Sequence, residues 1–323
     1  MIRKIISYLK YCDSLLKGIS KKESIPMCAL WADSTWALLR HGCLIKQYTF
    51  GEAYKIARPL MRWVFSQRRL ESIIRKYNDS DYIHLLKNKN EFNEYFREWV
   101  RRDWLWSETM HEEQFESMTR LHSRLFVKPL DDQEGNGIRT IENMENDMVS
   151  IAFQSLKADN VMIEESIIQH PQMRFGNSAV NTVRVITCLD KEGHAHILRT
   201  ALRVGIGSSV VDNFSAGGAL YDIDVLTGRI DNTGIGHDGK KYIFHPGTDI
   251  CMLGYQIPHW DMLVDGVKKA AMHIPQCRFV GWDVAIVEDG IELIEGNHNP
   301  GLFTMESLGK PCSYKEALRY LNM

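Results

Sequence analysis

Apolar residues change their spacing twice along the 323-residue chain, and the changes divide it into three stretches. Ile2, Ile5, Ile6, Leu9, Leu15, Leu16 and Ile19 recur every three or four positions, the one-face pattern of an amphipathic helix. The polar run over 20–26, ending in Pro26, breaks it. Helical spacing resumes over 29–40, 50–75 and 81–87, so residues 1–88 are expected to form a helical N-terminal region. From 89 to 163 the pattern is mixed. Helices are expected over 90–100, 111–121 and 141–157, and short strands over 125–129 and 161–163, with a polar turn-rich loop at 131–137. Residues 164–323 alternate or run apolar over 181–189, 196–204, 218–224, 283–287 and 291–295, which predicts strands, with one helix at 264–272 beside them. No unit repeats with a period of 20–50 residues, which excludes solenoids and propellers. The fold class is therefore α+β.

Composition narrows the classes. The chain is 44% hydrophobic and 25% charged, the balance of a soluble globular protein. No uncharged apolar run approaches the roughly 18–20 residues that cross a bilayer, and no small-residue cleavage site follows the first helix, so secretion is not expected. The seven cysteines are odd in number, scattered and free of any CxxC pair, which argues against a disulfide framework and fits a reducing cytoplasm. The net charge of −2 conceals an asymmetry: residues 1–76 carry +10 and the remainder −12. The acidic part could hold a divalent cation. The basic part could face an anionic substrate, a lipid surface or the acidic part itself. Arg3, Lys4, Lys10 and Lys17 on the first helix allow a peripheral contact with the inner face of a membrane, although such stripes more often pack on their own fold. No basic module with interleaved aromatic platforms occurs, so nucleic acid is not an expected partner.

Two motifs fail on inspection. Gly234–Lys240 has the glycine and lysine spacing of a phosphate loop, but Lys241 stands where Ser or Thr is required, and a strand-like run follows. His111-Glu112 begins like a zinc-protease helix, but Phe115 replaces the second histidine. The informative residues lie near the end. The strands at 283–287 and 291–295, joined by Glu288-Asp289-Gly290, form a hairpin with Asp283 and Glu295 at the same end. Asn297, two residues on, points to the same side. Two carboxylates and an amide oxygen are hard ligands suited to Mg²⁺ shared with phosphates, and the plainer alternative is a hairpin tip with solvated acids. Lys128 ends an apolar strand before a loop containing Gly135 and Gly137, an arrangement that cradles phosphate or is simply a flexible loop.

Taken together, these pieces resemble the ATP-grasp superfamily, and within it the sugar-transfer-associated ATP-grasp proteins. The resemblance runs over about 89–301. It rests on Asn88-Lys89-Asn90-Glu91-Phe92, Phe126-Val127-Lys128-Pro129 with the Gly135/Gly137 loop, the 161–170 stretch, Asn181-Thr182-Val183-Arg184, Val211-Asp212-Asn213-Phe214 with Gly217-Gly218, and the Asp283, Glu295, Asn297 set in that order. It implies a lid subdomain at 89–163 and a catalytic subdomain at 164–323 that grip ATP between them. Lys89 and Lys128 would hold the phosphates, with Gly135 and Gly137 closing over them. Glu164, Glu165 and Ile167 would line the adenine site. No residue matches the usual ribose-binding acid, since Gln169-His170-Pro171 occupies that place. Asp283, Glu295 and Asn297 would bind Mg²⁺, with Mn²⁺ as a substitute. Arg184 and Arg203 would stabilise charge in the transition state, and Asn213 would touch metal or acceptor. The implied chemistry joins a small-molecule carboxylate to an amine or sugar acceptor through an acylphosphate, in surface polysaccharide biosynthesis. A kinase that stops at phosphoryl transfer and a nucleotide-binding scaffold are the alternatives. Oligomeric state is left open. Arg58, Arg62, Arg68, Arg69 and Arg75 either face an anionic acceptor or form a solvated basic surface.

Overall fold

A computed structural model describes residues 2–130, 137–176, 180–205, 218–236, 239–301 and 313–323. Helices α1 (Ile2–Glu23), α2 (Met27–His41) and α3 (Ile45–Phe50) open the chain and bury Cys12, Leu16, Leu30, Ala37 and Tyr48 between them. Gly42 stops α2 in a left-handed conformation at φ +71°, and its N–H donates to Leu38 O at 2.8 Å. The helix expected across 50–75 is broken: two 3₁₀ turns intervene before α4 (Gln67–Tyr77). Pro59 sits within the first turn of the second of these, where its missing N–H costs nothing. The first turns of α1 leave Ile6, Tyr8 and Leu9 exposed. Among the described residues no helix is long and apolar enough to cross a membrane.

Helices α5 (His84–Lys87) and α6 (Lys89–Tyr95) follow. Asn88 caps α6 by accepting the N–H groups of Asn90 (3.0 Å) and Glu91 (3.3 Å). This helix ends at Tyr95, short of the expected 100, because 96–99 tightens into a turn in which the N–H groups of Trp99 (2.8 Å) and Val100 (3.0 Å) both donate to Phe96 O, with Phe96 and Val100 buried. A small antiparallel sheet comes next: β1 (Trp104–Trp106), β2 (Arg124–Pro129), β3 (Arg139–Glu142) and β4 (Val161–Glu165), in the order β1-β4-β2-β3. Helices α7 (Glu112–Leu121) and α8 (Val149–Lys157) cover one face through Phe115, Met118, Phe153 and Leu156. The sequence pattern does not separate β3 from α8. Residues 139–142 pair with β2, so only the second part of 141–157 is α-helical.

The large sheet is antiparallel throughout, in the order β11-β10-β5-β6-β7-β8-β9. Its strands are β5 (Thr182–Leu189), β6 (Ala195–Val204), β7 (Ala219–Asp222), β8 (Gly234–Gly236), β9 (Lys241–Tyr242), β10 (Phe279–Val287) and β11 (Gly290–Asn297). Residues 234–236 of the rejected phosphate-loop motif form β8, which pairs with β9. Alternation, interrupted by register shifts at Asp283/Val284 and Ile186/Thr187, gives the sheet two different faces. Val183, Val185, Leu202, Trp282, Val284 and Leu293 face α9 (Trp260–His273) and the 96–100 connection. On the other face, Ile186, Cys188 and Phe279 pack under α4 and α10 (Ser313–Asn322), while Ala201, Leu220 and Ile235 pack under Phe50. Charged residues occupy the space between those two apolar patches.

Trp282 is fully buried, and its indole N–H donates to Thr187 Oγ1 at 2.9 Å. Trp282→Ala is expected to cost about 3–5 kcal/mol in urea unfolding, and Trp282→Phe, which keeps most of the volume, markedly less.

Candidate active site

The hairpin of β10 and β11 sets the first part of the site. Asp283 lies opposite Glu295 and Gly281 opposite Asn297, with a register shift after Asp283 that absorbs Ile294. On the other side of β10, Asp283 faces Arg184 of β5. Thr182, two residues before Arg184, pairs with Arg203 of β6. Cross-strand pairing and the period of two therefore gather Arg184, Arg203, Asp283, Glu295 and Asn297 on one face. Arg184 grips Asp283 with two parallel hydrogen bonds: Nη2 donates to Oδ2 at 2.7 Å and Nε to Oδ1. Arg203 Nη1 donates to the same Oδ2 at 2.7 Å. Arg184 Nη1 also donates to Pro300 O at 2.9 Å. Gly281 permits this: a Cβ there would lie 2.4 Å from Pro300 Cβ.

Asp283 is buried, and burial alone would raise its pKa. The charges of Arg184 and Arg203 outweigh that and hold the carboxyl well below its ordinary value. Glu295 behaves in the opposite way. Almost half of its side-chain surface meets solvent, yet desolvation of its carboxyl among surrounding protein, followed by the negative charge of Asp283, raises its pKa. Asn297 Nδ2 donates to Glu295 Oε1 at 3.0 Å. Two mutually repelling carboxylates beside an amide make a donor set that a small divalent cation would satisfy.

The second part of the site is on the small sheet. Lys128 of β2 forms an ion pair with Glu164 of β4, which is almost wholly buried. Glu164 Oε1 accepts Arg102 Nη2 at 2.7 Å and Asn93 Nδ2 at 3.0 Å. Arg102 is itself buried, and its Nη1 donates to Glu292 Oε1 at 2.9 Å and Leu293 O at 2.8 Å on β11. A continuous line of charged contacts, Lys128–Glu164–Arg102–Glu292, thus joins the small sheet to the hairpin that carries Glu295. Burial would raise the pKa of Glu164, but Arg102 first and then Lys128 lower it well below the ordinary carboxylate range.

The remaining expected residues divide. Lys89, on α6 against the large sheet, donates from Nζ to Pro129 O (2.9 Å) and Leu130 O (3.2 Å), so both lysines meet at the C-terminal end of β2. Gly137 has φ +72° at the return into β3, while Gly135 lies outside the described residues. Glu164 directs its carboxylate into the buried ion-pair line. The N–H of Glu165 donates to Asp103 O at 2.9 Å, and its Oε2 accepts the N–H of Asp103 at 3.1 Å. Ile167 is half-buried on the link from β4 to the large sheet, where His170 N–H donates to Ile286 O at 2.9 Å. Asn213 and Asp212 lie outside the described residues.

Sequence reasoning missed Arg102, Asn93 and Glu292. Arg102 stands in Arg101-Arg102-Asp103, which reads as a solvated charge run. Its only signal is the buried Trp99-Val100 just before it. Asn181 carries the resemblance but serves a structural purpose. Its Nδ2 donates to Met173 O at 2.8 Å and its Oδ1 accepts Gly205 N–H at 3.1 Å, which anchors the end of β6.

The family model described as sugar-transfer associated ATP-grasp matches residues 68–312, more than half of the chain and every expected site residue. The chain belongs to the sugar-transfer associated ATP-grasp family. The ATP-grasp fold accordingly comprises the small sheet, the large sheet and the two connections at 96–103 and 166–170 between them. Solved structures similar to this ATP-grasp chain include the ATP-grasp ligase PsnB complexed with a phosphomimetic variant of a minimal precursor, Mg and ADP. It shows 15% identity, covers 75% of this chain and 61% of that one, and has a TM-score of 0.46. An N5-carboxyaminoimidazole synthase from Aspergillus clavatus (13%, 79% and 57%, 0.46) and a D-alanyl-alanine synthetase A from Vibrio cholerae (11%, 70% and 58%, 0.41) are similar at the same level. The chain spans 53–64% of the length of the PsnB chains it matches. No curated protein matches it.

Arg102→Met leaves Glu292 buried without its cation and Glu164 with Lys128 alone, so it should cost about 3–5 kcal/mol in denaturant unfolding. Because the folded pKa of Glu164 lies below its ordinary 4.5, its ionisation stabilises the fold above that pH and the contribution is lost as pH falls below it. The stability gap between wild type and Glu164→Gln is therefore expected to be full near neutrality and to narrow below pH 4.5. A gap independent of pH would show that Glu164 acts by packing alone.

Proposed function

We propose that the chain is an ATP-dependent ligase that activates a small-molecule carboxylate as an acylphosphate and passes it to an amine or hydroxyl on a sugar acceptor in surface polysaccharide assembly. One observation carries this reading. Arg184, Arg203, Asp283, Glu295 and Asn297 share one face of the large sheet, and the line through Arg102 and Glu164 ties that hairpin to Lys128. A phosphate chain lying between the two sheets would meet cations on one side and oxygen ligands on the other.

Asp283, Glu295 and Asn297 would hold Mg²⁺ or Mn²⁺. When bound, the ion supplies neutralisation of phosphate charge during transfer. Lys128 and Lys89, at the end of β2, would bind the nucleotide phosphates as point charges. Gly135 and Gly137 would close over them. Ile167, with Glu164 and Glu165, would border the base on the link between the sheets. The substrate carboxylate oxygen attacks the γ-phosphorus, the bond to the β–γ bridging oxygen breaks, and ADP leaves. The acceptor nitrogen or oxygen then attacks the acyl carbon and loses its proton, and the carbon–oxygen bond to phosphate breaks to release inorganic phosphate. Arg184 and Arg203, preorganised by Asp283, would stabilise charge on the transferring phosphoryl group and on the tetrahedral oxygen, with Asn213 near the acceptor. No protein nucleophile is needed, because positioning and electrostatics supply the catalysis. The exposed Ile6 and Leu9 beside Lys10 support a peripheral contact of α1 with an anionic membrane at its cytoplasmic face.

Glu295→Gln, at a half-exposed position, should abolish turnover while keeping the thermal midpoint. Asp283→Asn should lose both turnover and stability, since it removes the carboxylate shared by Arg184 and Arg203. Lys128→Ala should lower kcat/KM by about 10²–10³. ADP release measured against panels of carboxylates and amines should depend on both. A stable phosphorylated product formed without any amine would identify a kinase instead.

A further inference from the structure

The face of the large sheet that carries Arg203 continues onto β7 and β8 with apolar residues. Arg203 lies opposite Leu220 of β7, and Leu220 opposite Ile235 of β8. At about 4.8 Å per strand, Ile235 lies about 10 Å from Arg203. Ala201, which faces Arg184, packs with Leu220, Ile235 and Phe50. The N-terminal helical region is thus seated on the same face as the arginines and the acids. Next to Phe50 a cavity of about 300 Å³ opens between α1, the turn after α3 and the β8–β9 hairpin. Leu15, Phe50 and Ile235 give it an apolar floor, and Thr49, Asn232 and Thr233 line it with neutral polar groups.

Two backbone features make this more than a packing gap. Gly18 stands in the interior of α1 and lines the cavity, where a glycine costs about 1 kcal/mol relative to alanine. Among the described residues nothing outside its own helix backbone lies within 4 Å of where its Cβ would be. No close contact calls for a glycine there; what it provides is room. Glu52, also in the lining, has φ +48°, a left-handed conformation unusual for a side-chain-bearing residue. It is held there by ion pairs with Lys241 of β9 (3.1 Å) and with Lys55 three residues on (3.3 Å), the first of which ties the turn to β9. Strain of this kind tends to be kept at ligand sites.

We propose that this cavity is the acceptor subsite and holds one polyhydroxylated ring, a monosaccharide unit, on the same face of the sheet as Arg203. The assignment rests on the ligase reading. A hydroxyl both donates and accepts, as do the side chains of Asn232 and Thr233, while Thr49 Oγ1, which donates to Lys46 O at 3.0 Å, offers its lone pairs as acceptors. Glu52 supplies acceptors and Lys241 donors for the remaining hydroxyls. Phe50 presents an apolar ring to the carbon face of a sugar. The volume stands at the lower end of small-molecule pockets, about 300–1,000 Å³, which suits a single ring and excludes a second nucleotide.

Gly18→Leu fills the cavity from a helical position with open space beyond it, so its thermal midpoint should equal or exceed that of wild type. Methyl NMR of Leu15, Ile19 and Ile235 reads occupancy directly, with glucose, N-acetylglucosamine, glucosamine and glucuronate as probes at millimolar concentration. At least one probe should shift these methyls in wild type and bind at least ten-fold more weakly to Gly18→Leu. Absence of shifts with all four probes in wild type, or equal affinity in the variant, would overturn the proposal. Calorimetry with Mg-ADP on both proteins separates the two readings. Equal binding supports a subsite distinct from the nucleotide cleft. Failure of wild type to bind Mg-ADP would sink the ligase reading, and the acceptor role with it, whatever the sugars do.

Discussion

Arg102 crosses from the connection after α6 into a space between the two sheets, where Glu164 reaches it from one side and Glu292 from the other. Taking a guanidinium and two carboxylates out of water is expensive, and their mutual attraction repays this only when the remaining donors and acceptors are satisfied. Here they largely are. Asn93 bonds both Arg102 and Glu164, Leu293 O accepts a further guanidinium N–H, and Lys128 takes up the outer oxygen of Glu164. Sliding or rotating the small sheet against the hairpin would expose a buried charge, so the network fixes a register between them. The spacing between Lys128 and the Asp283–Glu295 hairpin follows from that register.

The large sheet shows how one pattern serves two ends. Its first face is closed by α9 with aliphatic and aromatic side chains and supplies most of the core. Its second face is covered only in patches, by α4 and α10 over Ile186 and Phe279 and by Phe50 over Ala201 and Leu220. Arginines and acids would be costly under a continuous apolar layer, and the uncovered middle gives them somewhere to stand. The same alternation that builds the core therefore also gathers Arg184, Arg203, Asp283 and Glu295 on the other face.

Much of this was legible before any coordinates. Period-two alternation over 181–189 and 196–204 places β5 and β6 within a residue of their observed starts, and the hairpin carrying Asp283 and Glu295 follows from its turn. Helix boundaries were harder to read. Ile141 fits a helical stripe with the residues after it, but pairing of 139–142 with β2 overrides that local preference. Glu164 illustrates the deeper limit. The family resemblance implies a place for it beside adenine, yet its partner Arg102 is far away in sequence and hidden in a charge run. Sequence spacing carries no record of which remote charge will be buried beside another.

Co-crystallisation with Mg-ADP is the decisive experiment. Density for the ADP phosphates is expected between Lys128 and the Asp283–Glu295 hairpin, with the metal on Asp283, Glu295 and Asn297 and the Arg102–Glu164 contact intact. Nucleotide bound elsewhere, or bound only after that contact has broken, would refute this arrangement of the site.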